Sequence, residues 1–433
     1  MVHPCGSGAF GYFEVERDVT SLCKADFLSS IGKRTPIFTR FSTTTYGREF
    51  PDSARNVRGF AIKFYTEEGN YDILGLNLFF VRNPMKGPDL IRSQQRNPQS
   101  GLLDYEALFS YLAENPEALH AGTMHFSDRG TPKGWRFMDG FGCHTFKWVN
   151  SKGDQIYIKY HFLCEAGKQE FTDEEAQQMC GQDPDYSKRD LFNHIQQGGE
   201  CTWKIAVQMM TPDQANRADF DPFDVTKVWP HADFPLQQFG KLVLNRNPEN
   251  FHRDVEQAAF NPGNLVPGIE PSPDALLQWR MMFYRDAQYH RLGVNHHQLP
   301  VNCPFMARYQ NPQTRDGQQR LDSNGVGHPS VICSSKNEGK VDSSVDFHPF
   351  MIREATVDRE SAYRHEGSDS DYDQVRELVE RVLNQQKREN LYKNTAKYLR
   401  LCSLDTQSKY LSQLSKISTG YADGVKRWLE KAK

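Results

Sequence analysis

The chain of 433 residues lacks paired cysteines, long apolar runs and an excess of either charge. Its nine cysteines include no CxxC pair, which argues against a disulfide framework and for a reducing compartment. No apolar run approaches the ~18–20 residues that a membrane-spanning helix needs. The formal net charge of −3 provides no basic surface for a polyanion. We therefore expect neither nucleic acid nor a membrane among its partners.

What the chain does contain is an ordinary globular composition, with 38% hydrophobic and 25% charged residues. Its length exceeds the ~250–300 residues at which a single core stops growing, which predicts one large domain with appended layers. The mean hydropathy of −0.70 indicates long solvated connections.

Alternating apolar and polar residues predict β-strands between residues 35 and 81, with a hairpin turn at Glu68-Gly69-Asn70. Further strands are predicted at 146–149, 155–162, 203–209 and 241–244. Because no regular helices separate these strands, the pattern favours an antiparallel sheet or barrel over βαβ units.

Helical spacing dominates the C-terminal part of the chain. Apolar residues there follow i, i+3, i+4, i+7, i+8 spacing, at Val375, Leu378, Val379, Val382 and Leu383. We predict an α+β protein with a β-barrel core and inserted helices over residues 1–310. A wrapping loop over 311–350 and a C-terminal helical region over 351–433 would follow.

The most informative segment is residues 280–288, because it offers a tyrosine as a metal ligand. If the segment is helical, Arg280 and Tyr284 lie four residues apart on one face. A guanidinium beside a phenol favours the phenolate, a hard anionic ligand that suits ferric iron. The alternative is an amphipathic core helix with a hydrogen-bonded tyrosine.

Three other segments carry candidate chemistry. His3 precedes three closely spaced glycines, which permit close backbone approach and allow the histidine to lie near a flat ligand. Arg40 and Ser42 lie on a probable strand, and Asn77 is an amide among apolar neighbours that include Phe79. Taken singly, a histidine, an amide and a phenylalanine in such places are more often a solvated side chain, a turn residue and a core residue, and Arg40 is also typical of a surface ion pair.

In this order, the segments resemble the haem-dependent monofunctional catalases, of the animal-like small-subunit type, over nearly the whole chain. Further family-like stretches lie at 93–99, 126–130, 142–147, 183–193, 224–231, 241–248 and 300–304. The resemblance implies a catalase-like eight-stranded antiparallel β-barrel with a wrapping loop and C-terminal helices. It also implies a homotetramer with one buried haem b per subunit, which dismutates hydrogen peroxide and protects against oxidative damage.

On the peroxide side, the resemblance makes His3 the acid–base group that moves a proton between the two peroxide oxygens. Asn77 would orient peroxide through a hydrogen bond, and Ser42 would steady the imidazole. Val2 and Phe79 would line the haem.

On the opposite side, the resemblance makes Tyr284 the proximal iron ligand. Arg280 would keep it ionised, and would itself be linked to His144 and Asp274. The haem propionates would pair with two guanidinium groups, those of Arg40 and Arg291.

Many catalases also bind NADPH, and this chain matches that site only in part. The matching residues are His120, Ser127, Arg129, Trp229 and His231. Met124, Asp139, Phe141 and Leu163 depart from the family, and Asp139 places a carboxylate near the expected phosphates. We therefore expect NADPH binding to be weak or absent.

Two departures affect the predicted peroxide side. The chain starts almost at His3, so the family's N-terminal arm is missing from it and we expect a poorly anchored histidine with reduced activity. Segment 75–80 is two residues shorter than in the family, which leaves the register of Asn77 open. Two alternatives follow: a catalase-fold haem protein with weak peroxidase or no dismutase activity, and an ordinary catalase whose true start precedes Met1.

The compartment follows from the family rather than from a signal in the chain. The first residues contain no basic stretch followed by an apolar one. The last three residues differ from the Ser-Lys-Leu peroxisomal address. We expect an intracellular protein, either peroxisomal or cytoplasmic.

Overall fold

The computed structural model describes residues 2–76, 78–307 and 370–431. In these ranges the fold consists of one antiparallel sheet and surrounding helices. The strands are Cys5–Val15 (β1), Arg34–Thr43 (β2), Arg58–Thr66 (β3), Gly69–Gly75 (β4), Gly140–Phe141 (β5), Phe146–Val149 (β6), Gln155–Cys164 (β7), Cys201–Met210 (β8), Gln237–Arg246 (β9) and Ile269–Pro271 (β10).

The helices pack around this sheet or follow it in the chain. They are Gly87–Ser93 (α1), Tyr105–Glu114 (α2), Leu119–Phe126 (α3), Asp173–Gln182 (α4), Tyr186–Gln196 (α5), Pro212–Arg217 (α6), Ala275–Arg291 (α7), Ser370–Glu377 (α8), Gln385–Leu399 (α9), Leu404–Ile417 (α10) and Thr419–Glu430 (α11). None of the helices in the described ranges is long and apolar enough to cross a membrane.

The sheet runs in the order β10-β6-β7-β8-β9-β1-β2-β3-β4, with β5 paired to β7. It curls on itself, because side chains from distant strands meet in one interior. Phe60 of β3 stacks on Phe162 of β7 with ring centroids 5.5 Å apart, and Phe60 also contacts Trp203 of β8 at 5.6 Å. The predicted antiparallel barrel and the α+β class are confirmed.

The β3–β4 hairpin turns earlier than we predicted. Thr66 pairs with Gly69 across the ladder, so the turn is Glu67-Glu68, and Gly69 and Asn70 belong to β4. The Thr66 hydroxyl donates to the Gly69 carbonyl at 2.6 Å and accepts from the Glu68 amide. This local bonding closes the turn without the glycine at its centre.

The C-terminal helices join the barrel through a shared apolar core and a buried ion-pair cluster. Leu391, Leu399 and Leu414 pack in the same cluster as Leu112 of α2. Asp371 of α8 accepts from the Arg82 guanidinium at 2.7 and 3.1 Å. The domain boundaries remain a prediction, and the predicted wrapping loop lies outside the described residues.

One residue of the predicted C-terminal apolar face was placed wrongly. Val382 is 62% exposed, whereas Val375, Val379 and Leu383 are buried. The reason is a π-helical turn at Leu378–Val382, in which the Leu383 amide bonds the Leu378 carbonyl. The wider turn rotates Val382 off the face that 3.6-residue spacing predicts.

The cysteines of the described residues form no disulfide with one another. Those eight side chains are all free thiols. Five of them, including Cys143 and Cys201, are buried.

Candidate functional site

His3 lies against the ends of β2 and β3 and is held at three points. Its amide donates to the Thr44 carbonyl at 2.9 Å, and its own carbonyl accepts from the Arg40 guanidinium at 3.1 Å. Its Nδ1 atom lies 2.8 Å from the Ser42 hydroxyl oxygen. The expected poor anchoring of His3 is therefore wrong, because strand-end backbone groups and Ser42 hold it.

Arg40 and Arg291 form a pair of guanidinium groups on one side of His3. Arg40 donates to the Val255 carbonyl, and Arg291 donates to the carbonyls of Glu256 and Ala258. Among the described residues, neither guanidinium has a carboxylate within ion-pair distance. Burial and the neighbouring Arg291 lower the pKa of Arg40 to about 10. The pair is therefore suited to bind an anion.

Tyr284 of α7 lies at the end of a chain of contacting side chains that runs through Asp274, His144 and Arg280. The helix begins after Asp274, whose carboxylate caps the Leu277 amide at 3.0 Å. The same carboxylate is 2.6 Å from Nδ1 of His144, whose Nε2 is 2.6 Å from Arg280. Arg280 then donates to the Tyr284 hydroxyl oxygen at 2.8 Å. The predicted helix and its Arg280–Tyr284 face are confirmed.

The half-buried His3 and the buried His144 have opposite pKa shifts. Burial lowers the pKa of His3 to about 3, aided by the positive charges of Arg40 and Arg280. Burial also acts to lower the pKa of His144, but Cys143 and Asp274 outweigh it and raise that pKa. Arg280 therefore bears on both groups: it donates to the Tyr284 hydroxyl oxygen, and its charge contributes to the lowered pKa of His3.

Phe79 packs beside this chain, and Val2 adjoins His3. The Arg280 guanidinium lies 5.2 Å from the Phe79 ring centroid, and the His144 ring lies 6.3 Å from it. Phe79 and Val2 are both half-buried. Asn77, the predicted peroxide-orienting amide, lies outside the described residues.

The residues predicted for NADPH are only partly brought together. Arg129 lines a cavity of about 420 Å³, together with Met124, Asp139 and Phe141. Ser127 instead donates to the Met124 carbonyl. Of the other matching residues, His120 and Trp229 are buried, and the His231 ring contacts the His161 ring.

Sequence reasoning assigned no role to three groups that shape the site. Gly59 lies beneath the His3 imidazole, with no side chain between them. Cys143 places its sulfur 3.8 Å from Arg280, and Gln288 accepts from Arg291 at 2.6 and 2.9 Å. Cys143 and Gln288 lie within segments that the sequence analysis had already singled out. The position of Gly59 beside His3 becomes apparent only from the pairing of β2 with β3.

Comparison with known proteins decides the family. The catalase family model matches residues 1–338, and the model described as "Catalase-related immune-responsive" matches residues 365–429. The chain belongs to the catalase family. The predicted family membership is confirmed.

Similar proteins come from distant organisms. The catalase of Methanosarcina barkeri is 44% identical over 99% of this chain and 85% of its own length. The catalase of Rattus norvegicus is 44% identical over 99% of this chain and 81% of its own length. Catalase A of Saccharomyces cerevisiae superposes with a TM-score of 0.89 at 38% identity, over 99% and 89% of the two chains.

The reaction follows from the family assignment. The chain is a haem-dependent catalase enzyme, and its substrate is hydrogen peroxide, which it converts to water and oxygen. The predicted function is thereby confirmed, and nothing in these comparisons favours the alternative without dismutation.

Proposed function

We propose that the residues around His3 and Tyr284 form the haem pocket of this catalase, with the haem between them. The observation that supports this most directly is the chain Asp274–His144–Arg280, which ends on the Tyr284 hydroxyl oxygen at 2.8 Å. The charge of the same Arg280 contributes to the lowered pKa of His3, which belongs to a distant segment. One group is a neutral acid–base catalyst and the other an oxygen ligand.

The described residues fit a haem at this place. Arg40 and Arg291 are guanidinium groups without a carboxylate partner in the described ranges, and they suit two propionates. Tyr284 offers an oxygen that Arg280 holds from behind, and Phe79 offers a half-buried aromatic ring. The chain contains no CxxC pair, so thioether attachment is not supported and we infer non-covalent haem b.

The haem iron, when bound, supplies the oxidation–reduction chemistry of peroxide. His3 accepts a proton from one peroxide oxygen and returns it to the other as the O–O bond breaks. The Ser42 hydroxyl, 2.8 Å from Nδ1, fixes the ring so that the other nitrogen faces the substrate. The lowered pKa keeps His3 neutral and able to accept the proton.

Tyr284 is the iron ligand in this proposal, and Arg280 stabilises its negative charge. Asp274 and His144 orient Arg280 through two further contacts of 2.6 Å. We retain Asn77 as the proposed peroxide-orienting amide on family resemblance alone.

The test is the absorption spectrum of the purified protein together with an oxygen-electrode assay. We expect a high-spin ferric haem b spectrum of the tyrosinate type and rapid oxygen release from peroxide. Reconstituted protein that takes up no haem would contradict the proposed pocket.

We propose that NADPH binds weakly or not at all. The Asp139 carboxylate lines the 420 Å³ cavity and is paired with Lys168 at 2.9 Å, so a phosphate would have to compete with it for that ammonium group. Ser127 and Trp229 donate hydrogen bonds to backbone carbonyls of the protein, and His120 is buried. Calorimetric titration at modest salt is the test, and a micromolar complex, ~8 kcal/mol, would contradict the proposal.

We also propose the family's homotetramer and a peroxisomal or cytoplasmic location. Large exposed apolar side chains support subunit contacts, namely Met85, Met282, Val294 and Phe305. A similar protein from Candida albicans is named peroxisomal catalase. Light scattering of the purified protein and imaging of a tagged chain test these two points.

A further inference from the structure

Gly59 of β3 touches the proposed acid–base histidine through its missing side chain. It pairs with Ser42 across the β2–β3 ladder, which brings its Cα beneath the Ser42–His3 hydrogen bond. A Cβ atom placed at Gly59 would lie 2.8 Å from both Cε1 and Nδ1 of His3. It would also lie 2.7 Å from the Ser42 hydroxyl oxygen.

These distances leave no room for a methyl group. Contacts of ~3.5–4.0 Å are normal between carbon atoms, so the imidazole or the hydroxyl would have to move by roughly an ångström. The backbone of His3 is held by Thr44 and Arg40, and its ring is held by the Ser42 hydroxyl. The backbone of Ser42 is fixed in the β2–β3 ladder, so the ring and the hydroxyl would have to shift together. The glycine therefore sets where the ring can lie.

We infer that Gly59 is a positioning residue for the peroxide reaction. Its bare Cα forms the floor on which His3 and Ser42 meet in their hydrogen-bonded arrangement. This inference rests on the proposed role of His3 as the acid–base group. Gly59 itself touches neither substrate nor haem in this proposal.

The expected effect is on rate rather than on folding. A displacement of about an ångström in a reacting group can cost ~100-fold in rate. Gly59→Ala should therefore lower kcat by roughly 10- to 100-fold per bound haem, while the haem spectrum stays that of the wild type. The backbone of Gly59 is not in the left-handed region, so alanine adds no backbone strain there.

A second readout separates positioning from general damage. Cyanide binds ferric haem from hydrogen cyanide, whose proton needs a nearby base, so its association rate reports on His3 without turnover. We expect Gly59→Ala to slow cyanide association by a factor similar to its loss of kcat. Haem content and melting temperature are measured on the same samples.

Two matched glycine variants serve as controls. Gly181 of α4 is exposed and a Cβ there meets no atom within 4 Å, so Gly181→Ala should behave as wild type. Gly140 of β5 is buried, and a Cβ there would lie 2.6 Å from the Phe60 ring. Gly140→Ala should lower the melting temperature while turnover per bound haem changes little.

A double variant keeps the test decisive if Gly59→Ala folds poorly. Ser42→Ala removes the hydroxyl that the new methyl group would strike, but the contact between that methyl group and the imidazole remains. Gly59→Ala/Ser42→Ala should therefore turn over more slowly per haem than Ser42→Ala alone, and no more slowly than Gly59→Ala where that variant is measurable.

The outcomes distinguish the inference from the function on which it rests. If His3→Ala loses activity but Gly59→Ala matches wild type per haem, or the double variant matches Ser42→Ala, the role of Gly59 is refuted and His3 stands. If His3→Ala itself matches wild type, the proposed role of His3 fails and the inference fails with it. A slowed Gly59→Ala with normal haem and normal stability supports the inference.

Discussion

His3 is half-buried and His144 is buried, and the pKa values of these two histidines shift in opposite directions. Burial lowers the pKa of His3 to about 3, and the positive charges of Arg40 and Arg280 add to that effect. Cys143 and Asp274 adjoin His144 and overcome burial, so its pKa rises. Burial alone does not set the state of a histidine; the sign of the neighbouring charges decides it.

The two sides also differ in what holds them. His3 is fixed by strand-end backbone groups and by close packing over Gly59. Tyr284 is fixed by Arg280, which is held in turn by His144 and the helix-capping Asp274. The position of His3 therefore depends on the backbone spacing of the sheet, whereas the position of Tyr284 depends on charged side chains.

The largest effect should come from Tyr284→Phe, which removes the proposed ligand oxygen. We expect loss of haem from the purified protein, or an altered spectrum with loss of nearly all activity, measured by the Soret band and oxygen release. Tyr289→Phe is the matched control, because Arg285 donates to the Tyr289 hydroxyl at the same four-residue spacing on the same helix. A wild-type spectrum and rate in Tyr284→Phe would show that another residue binds the iron.

His3→Ala should lose ~100- to 10,000-fold in kcat, the usual contribution of general acid–base catalysis. Haem should remain bound, because Tyr284 and the two arginines proposed to bind the propionates are unchanged. His252→Ala, at an exposed histidine, is the control and should keep full activity. If His3→Ala instead lost its haem, the histidine would have a structural role.

Asp274→Asn should have a smaller effect, ~10- to 100-fold, as expected for a group that acts through the residues bound to it. Asparagine still caps the helix, so the change removes mainly the charge that supports His144 and Arg280. The measurement is the haem spectrum together with kcat. Asp104→Asn, at the cap of α2, is the control for capping alone and should leave both unchanged.

The smallest effect concerns stability in mild acid. The folded pKa of His3 is about 3 and its unfolded value is near 6.5, so below pH 6.5 the unfolded chain binds the proton first. The stability from neutral His3 is therefore present above pH 6.5 and is lost as the pH falls towards 3. We expect the melting temperature to fall between pH 6.5 and 5, and to fall less in His3→Ala. Equal slopes in the two proteins would contradict the lowered pKa.

Much of the fold was predictable because its signals are local. Strand alternation, the acidic start of α4 at Thr172 and the spacing of α7 all depend on neighbours within a few residues. The errors arose where a local rule had a competitor. A threonine side chain closed the β3–β4 turn earlier than predicted, and a π-turn rotated Val382 outwards.

The sequence by itself determined the family, the strand and helix pattern, and the candidate residues His3, Arg40 and Tyr284. Spacing alone did not separate the 280/284 pair of α7 from the 285/289 pair, and the family resemblance chose the first. The structure gives a physical reason for that choice, because of these two arginines only Arg280 is buried, with its guanidinium against His144 and, through it, Asp274. The pKa of His3 and the proposed role of Gly59 also depend on tertiary structure, because the groups involved are distant in sequence and meet only when the strands pair.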